Sequence, residues 1–154
     1  MKRIGVISDT HGLLRAEALE ALQASDVIIH GGDIGKGDII ETLSDIAPVS
    51  AVHGNIDKGE TRALYPHDAV VEIDGCYIYV LHIIDELKID PVAAGFQVVV
   101  YGHSHKPAIE RKEGVLYVNP GSAGPRRFSL PVSVAMLTLD NGKIEAQIVE
   151  LELK

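Results

Sequence analysis

Five short apolar runs in this chain each break off into a turn of small or polar residues, and this rhythm constrains the fold more than any other feature. Ile4–Ile7 breaks at Asp9-Thr10-His11-Gly12, Val27–Ile29 at His30-Gly31-Gly32-Asp33, and Val49–Val52 at His53-Gly54-Asn55-Ile56-Asp57. Further on, Tyr79–Leu81 breaks at His82, and Phe96–Tyr101 at Gly102-His103-Ser104-His105. Short runs rich in β-branched residues read as buried strands. In a parallel sheet the side chains just past the strand ends share one edge, where open α/β folds place their ligands.

The intervening segments fit that reading. Lys2–Ser8 is expected to be a first strand, followed by a helix from about Leu14 to Gln23 with Leu14, Ala18, Leu19 and Leu22 on one face. Asp26–His30 is a second strand. A second helix opens near Asp38, whose carboxylate can cap it, with Glu41 three residues on completing a capping box. It stops before Pro48, and Val49–Val52 is the third strand. This β-α-β-α-β order is the pattern of a parallel sheet with crossover helices.

The second half changes character. Ala69–Ile73 and Cys76–His82 form a hairpin around Asp74-Gly75, a dipeptide suited to a type I′ turn. A short helix starts at Asp90-Pro91 and ends at Gly95. A second hairpin joins Ile109–Arg111 to Val115–Val118 around Glu113-Gly114. Asn119–Pro125 is too rich in Gly and Pro to be other than a loop. The last hairpin joins Val132–Leu139 to Ile144–Leu153 across Asn141-Gly142. The apolar phase in its second strand shifts from Ile144, Ala146 and Ile148 to Val149, Leu151 and Leu153, which predicts a β-bulge. Nine to eleven strands are too many for one comfortable open sheet, so two packed sheets with helices outside are expected.

With 154 residues, 46% of them hydrophobic, the chain fits one domain over residues 1–154. At that size folding buries about 68–70% of the unfolded surface, so no disulfide or structural metal is needed as a staple. The lone Cys76 excludes a disulfide framework and a multi-thiolate zinc site. A net charge of −8 argues against stable nucleic-acid binding, which needs cations to displace counterions. No apolar run approaches the roughly 20 residues of a membrane span, and Met1-Lys2-Arg3 leads straight into a strand. A cytoplasmic protein with no membrane partner is the expectation.

Seven polar residues sit just past the apolar runs: Asp9, His11, Asp33, Asn55, His82, His103 and His105. Two carboxylates, one amide and four imidazoles suit two divalent first-row metals and suit Ca²⁺ poorly. Each piece also has a plainer explanation. Asp9-Thr10-His11 could cap the first helix, Gly32-Asp33 could be an ordinary turn, Asn55 could fill a left-handed turn position, and His82 could be a hydrogen-bonded core histidine. Each such explanation must hold separately at five strand ends.

The ordered set Asp9-x-His11, Gly32-Asp33, Gly54-Asn55-x-Asp57, His82 and Gly102-His103-x-His105 resembles the calcineurin-like metallophosphoesterase superfamily, in particular its small bacterial and archaeal phosphodiesterase branch. The resemblance runs by motif from Asp9 to Ser122. It implies a four-layer αββα sandwich of two mixed β-sheets flanked by helices, with two metals at the strand edges. Carried over residue by residue, Asp9, His11 and His105 would hold the first metal. Asn55, His82 and His103 would hold the second, and Asp33 would bridge them. Asp33, Asn55 and His82 would carry the catalytic load.

In this family picture two metal ions, Mn²⁺ first and then Ni²⁺, Zn²⁺, Fe²⁺ or Mg²⁺, lie about 3.5–4 Å apart and share a hydroxide that attacks phosphorus. The substrate would be a small phosphodiester or nucleotide-like ester. The family also implies a homodimer.

Two departures stand out. Many relatives carry a histidine after the Gly-Asn pair, placed to protonate the leaving oxygen, and this chain has Ile56. Activity is therefore expected to favour phosphodiesters and activated aryl esters over alkyl monoesters, because general-acid help is worth about 10²–10⁴-fold. Relatives often continue His82 with Gly-His, whereas here Ile83-Ile84-Asp85-Glu86 follow. His53 is a candidate substitute acid. His30 is expected to pack under the Asp33 turn, and His67 to lie on a surface loop. Asn119-Pro120-Gly121-Ser122 resembles a family loop near the site, where Arg126 or Arg127 could clamp a phosphate.

Two other classes compete. A catalytically weak or inactive scaffold on the same fold is implied by resemblance to a retromer subunit and motivated by the missing acid and the altered loop after His82. A dinucleotide-binding protein finds only a loose match in Gly31-Gly32-x-x-Gly35-x-Gly37, where Asp33 would repel a pyrophosphate.

Overall fold

The computed structural model describes residues 1–154, which form ten strands and four short helices. The first sheet has the order β10-β9-β1-β2-β3. Its members are β1 (Lys2–Ile7), β2 (Val27–His30), β3 (Val49–Ala51), β9 (Ser133–Asp140) and β10 (Lys143–Glu150). Strands β1, β2 and β3 run parallel, while β9 and β10 are antiparallel additions to the β1 edge. The second sheet has the order β4-β5-β6-β8-β7. It comprises β4 (Asp68–Ile73), β5 (Cys76–Leu81), β6 (Val98–Val100), β7 (Ala108–Lys112) and β8 (Val115–Asn119), with β5, β6 and β8 parallel.

Period-2 alternation explains the layering. Ile4 and Val6 of β1 and Ile29 of β2 point at the second sheet. There they meet Ile78, Val80, Val98, Val100, Leu116 and Val118 in a core of 17 buried residues. Ile7, Ile28 and Ala51 point the other way, against Ala18 and Leu22 of the α1 segment (helix Ala16–Ala21) and Ile39, Ile40 and Leu43 of α2 (Asp38–Ser44). Each fully buried aliphatic side chain contributes roughly 1.5–3 kcal/mol. Over the outer face of the second sheet the covering layer is thin. A 3-10 turn at Ile84–Glu86 and Leu87 lie on Leu81, Val99 and Val115, and α4 (Pro91–Ala94) follows in the same segment. The fold is thus the expected two-sheet sandwich with a reduced fourth layer.

Three local expectations are corrected. Asp38 does not cap α2: Gly37 already has helical backbone and takes the cap position, with no side-chain cap bond, so Asp38 is one residue inside the helix. The last strand has no bulge, because β10 pairs with β9 in unbroken register from Lys143 to Glu150. Its apolar phase shift arises because Ala146 and Ile148 pack into the inter-sheet core while Val149 and Leu151 pack with the helices on the opposite face. The third correction is helix α3 (Gly59–Leu64), where no element was expected; it buries no residue and so has no apolar stripe to betray it.

The hairpin turns behave as their dipeptides require. Asp74-Gly75 and Glu113-Gly114 have positive φ at both positions, as a type I′ turn demands. Asp90 caps α4 by accepting from the N–H groups of Val92 and Ala93, and Gly95 ends the helix in left-handed conformation. No helix of the chain is long and apolar enough to cross a membrane.

Candidate metal centre

Five of the seven candidate ligands have left-handed backbone: Asp9 (φ 56°), His11 (47°), Asp33 (55°), His103 (74°) and His105 (62°). This conformation costs a non-glycine residue of order 1–3 kcal/mol and persists only where the surroundings enforce it. It lets the chain turn sharply as each strand ends, so that the side chains of β1, β2 and β6 fold back over the sheet edge. Glycines make the turns fit together. A Cβ at Gly54 would overlap Oδ1 and the backbone nitrogen of Asp33, and one at Gly102 would overlap the Ser8 hydroxyl.

Both carboxylates are anchored by one oxygen and present the other. Asp9 Oδ2 accepts from the Ser8 hydroxyl (2.7 Å) and the His103 N–H (3.1 Å), which leaves Oδ1 buried without a hydrogen-bond partner. Asp33 Oδ1 accepts from the Ile56 N–H at 3.0 Å, and its Oδ2 stands 3.5 Å from His11 Nε2 and 3.2 Å from His82 Nε2. Around Asp9 Oδ1 lie His105 Nε2 at 3.4 Å and His11 Nε2 at 3.7 Å. Donor atoms thus gather as two groups, Asp9-His11-His105 and Asp33-His82-His103, each within 4.8 Å of one another. Asp33 Oδ2 reaches members of both. Asn55 joins through its Oδ1, which accepts from His103 Nδ1 at 3.0 Å.

Burial alone would raise the Asp9 carboxyl, but its contacts with His105, His11 and Ser8 outweigh that and hold it well below the usual range. Asp33 follows the same pattern, with burial opposed by His82 and the Ile56 N–H. For His82 burial pushes the imidazole down, yet the facing Asp33 and Asp9 carboxylates raise it overall. The His82 ring is oriented from behind: its Nδ1 donates to the Gly31 carbonyl at 2.7 Å and directs Nε2 into the site. A carbonyl behind the ring fixes both its tautomer and its plane.

Three further imidazoles resolve differently. His30 is fully buried as a structural residue under the Asp33 turn. Its Nδ1 accepts from the Gly32 N–H at 3.1 Å. Its Nε2 donates to the Thr10 hydroxyl, which passes its own proton to the Ile34 carbonyl. Burial pulls its pKa down to about 4. His53 donates from Nδ1 to the Tyr65 carbonyl at 2.7 Å, and its Nε2 is buried without a partner. His67 is exposed and pairs with Glu86 at 2.7 Å.

The Asn119–Gly124 loop serves as a brace. Asn119 donates to the Gly102 carbonyl and the Ser104 hydroxyl, and Ser122 donates to the Asp9 carbonyl. Arg126 donates from Nε to the Leu130 carbonyl within its own loop.

Unpaired buried atoms test whether a metal suits this set. Asp9 Oδ1, His11 Nε2 and His82 Nε2 are all buried with no hydrogen-bond partner. Burying such groups without partners is costly, and a cation at each cluster would satisfy them. The donor set fits divalent metal ions.

The comparisons with known proteins agree. Residues 1–142 match the family model described as the calcineurin-like phosphoesterase superfamily domain. A probable metallophosphoesterase of Methanothermobacter thermautotrophicus is 33% identical, over 95% of this chain and 91% of its own. A solved structure of an archaeal phosphodiesterase superposes with a TM-score of 0.75 at 25% identity, covering 97% of this chain and 99% of that one. Vps29 of Chaetomium thermophilum reaches a TM-score of 0.77 at 18% identity, covering 98% and 97%, and so shares the fold. The chain belongs to the calcineurin-like metallophosphoesterase superfamily.

Proposed function

We propose that the protein is a metal-dependent phosphodiesterase, with residues 1–154 as one catalytic domain. The observation that carries this is Asp33 Oδ2, standing within 3.5 Å of His11 and 3.2 Å of His82 at the junction of two ligand clusters. In this reading Asp9, His11 and His105 would hold one cation, Asn55, His82 and His103 would hold the other, and Asp33 would serve both. Bound there, two divalent cations would supply positive charge for the phosphoryl oxygens and lower the pKa of a water.

The chain's own residues set the geometry. Ser8 and the His103 N–H fix the face of Asp9, the Ile56 N–H fixes Asp33, and the Gly31 carbonyl fixes His82. Preorganisation of this kind saves the cost of reorienting groups as charge develops. Ile56 contributes its main chain but no proton, so leaving groups that need little acid assistance are favoured. Substituting Ile56→His should raise alkyl-monoester turnover relative to diester turnover, and an unchanged ratio would contradict the missing-acid reading.

The test is an assay of metal-stripped protein on bis(p-nitrophenyl) phosphate and the matching monoester, with Mn²⁺, Ni²⁺, Zn²⁺ or Mg²⁺ restored in turn. Diester hydrolysis should appear with a transition metal and fall by at least about a hundredfold in His105→Ala. Metal binding with no turnover of either ester would favour the scaffold reading, for which Ile56 is the supporting observation.

A further inference from the structure

A cleft of about 360 Å³ opens directly beside Asn55 and His82, the residues proposed for the second cation. Its far wall comes from elements that play no part in the metal centre: Arg62 of α3, His67 on the following loop, and Glu86 of the 3-10 turn. His53 lines the side next to Asn55, and Ile83 is the one apolar residue in the lining. The volume lies toward the low end for ligand pockets, and the near absence of apolar lining sets it apart from most of them.

The wall offers hydrogen-bonding groups of both kinds. Arg62 forms no ion pair within the chain, so its five N–H donors are available. Glu86 engages His67 through Oε1 and keeps Oε2 as an acceptor. Because His53 Nδ1 donates to the Tyr65 carbonyl, the neutral ring presents Nε2 as an acceptor, and that atom is buried and unpartnered. We propose that this cleft seats one ester arm of the substrate, and that the arm is a compact polyhydroxylated alcohol of the glycerol type.

Resting on the phosphodiesterase reading, this assignment narrows its substrate class. Hydroxyl groups both donate and accept, and so match the acceptors Glu86 Oε2 and His53 Nε2 together with the donors of Arg62. A lipid arm would find only Ile83 as an apolar contact.

The test separates binding from turnover. Imidazole proton–nitrogen signals are followed in the Zn²⁺-loaded protein during titration with sn-glycerol 3-phosphate and, separately, inorganic phosphate. The His53 and His67 signals should shift with glycerol phosphate and not with phosphate, and Arg62→Ala should weaken glycerol-phosphate affinity about tenfold. In kinetics, Arg62→Ala should raise KM for glycerophosphoglycerol about tenfold more than KM for bis(p-nitrophenyl) phosphate. Equal response of the two histidines to both ligands, or equal KM changes for both esters, would overturn the assignment. Selective shifts without turnover of any ester would keep the subsite and refute the phosphodiesterase reading.

Discussion

Asp57 touches none of the proposed cations, yet it ties two ligand turns together. Its buried carboxylate accepts from Gly54 (2.8 Å), Gly35 (2.9 Å) and Ile34 (3.1 Å), clamping the turn after β3 onto the turn after β2. Asp57→Ala strands three N–H groups and should cost on the order of 3 kcal/mol in urea unfolding, with Asp57→Asn intermediate. Both variants should also weaken metal affinity, read by calorimetry, because Asp33 and Asn55 lose their common support. His30 makes a second prediction at this scale. Its pKa of about 4 in the fold lies below the unfolded value of 6.5, so between those limits the unfolded chain binds the extra proton. Stability of the metal-free protein should therefore fall as pH drops from about 6.5 to about 4, by on the order of 3 kcal/mol. The lowered Asp9 and Asp33 carboxyls act below 3.8, and the raised His82 loses its contribution only above 6.5, so the windows separate. Urea midpoints that stay constant across that window would contradict the buried neutral assignment.

At the scale of elements, the ligand turns are strained segments braced by close packing. Gly54→Ala would drive a methyl group into Asp33, and should cost about 1–3 kcal/mol while separating the two groups of donor side chains. Calorimetry on that variant should show the loss of high-affinity metal binding; retention would mean the turns can part without consequence. The α4 cap is a control: Asp90→Ala should cost about 1 kcal/mol and leave metal binding intact. The sequence made these turns legible because a strand must stop somewhere, and Gly with Asp, Asn or His marks the stop. Hairpins at Asp74-Gly75 and Glu113-Gly114 were equally plain, since few dipeptides tolerate positive φ twice. Helix α3 was illegible because none of its residues is buried, and with it went Arg62. The bulge expected after Ile148 failed for another reason: a strand covered on both faces needs no kink to bury two phases.

For the whole molecule, the sandwich brings the edge formed by β1, β2 and β3 against the edge formed by β5 and β6. The seven candidate ligands were each nameable from sequence, but their braces were not. Asn119 lies 15 residues from Ser104 and Ser122 lies 113 from Asp9, and such pairings follow only from the folded sheets. The central claim is that this edge holds two cations linked through one carboxylate. Calorimetric titration of the metal-free protein with Mn²⁺ measures it most directly, run beside Asp33→Asn. Two ions per chain should bind the parent protein, and both should bind more weakly to the variant. A single ion in the parent, or two ions held undiminished after Asp33→Asn, would contradict that claim.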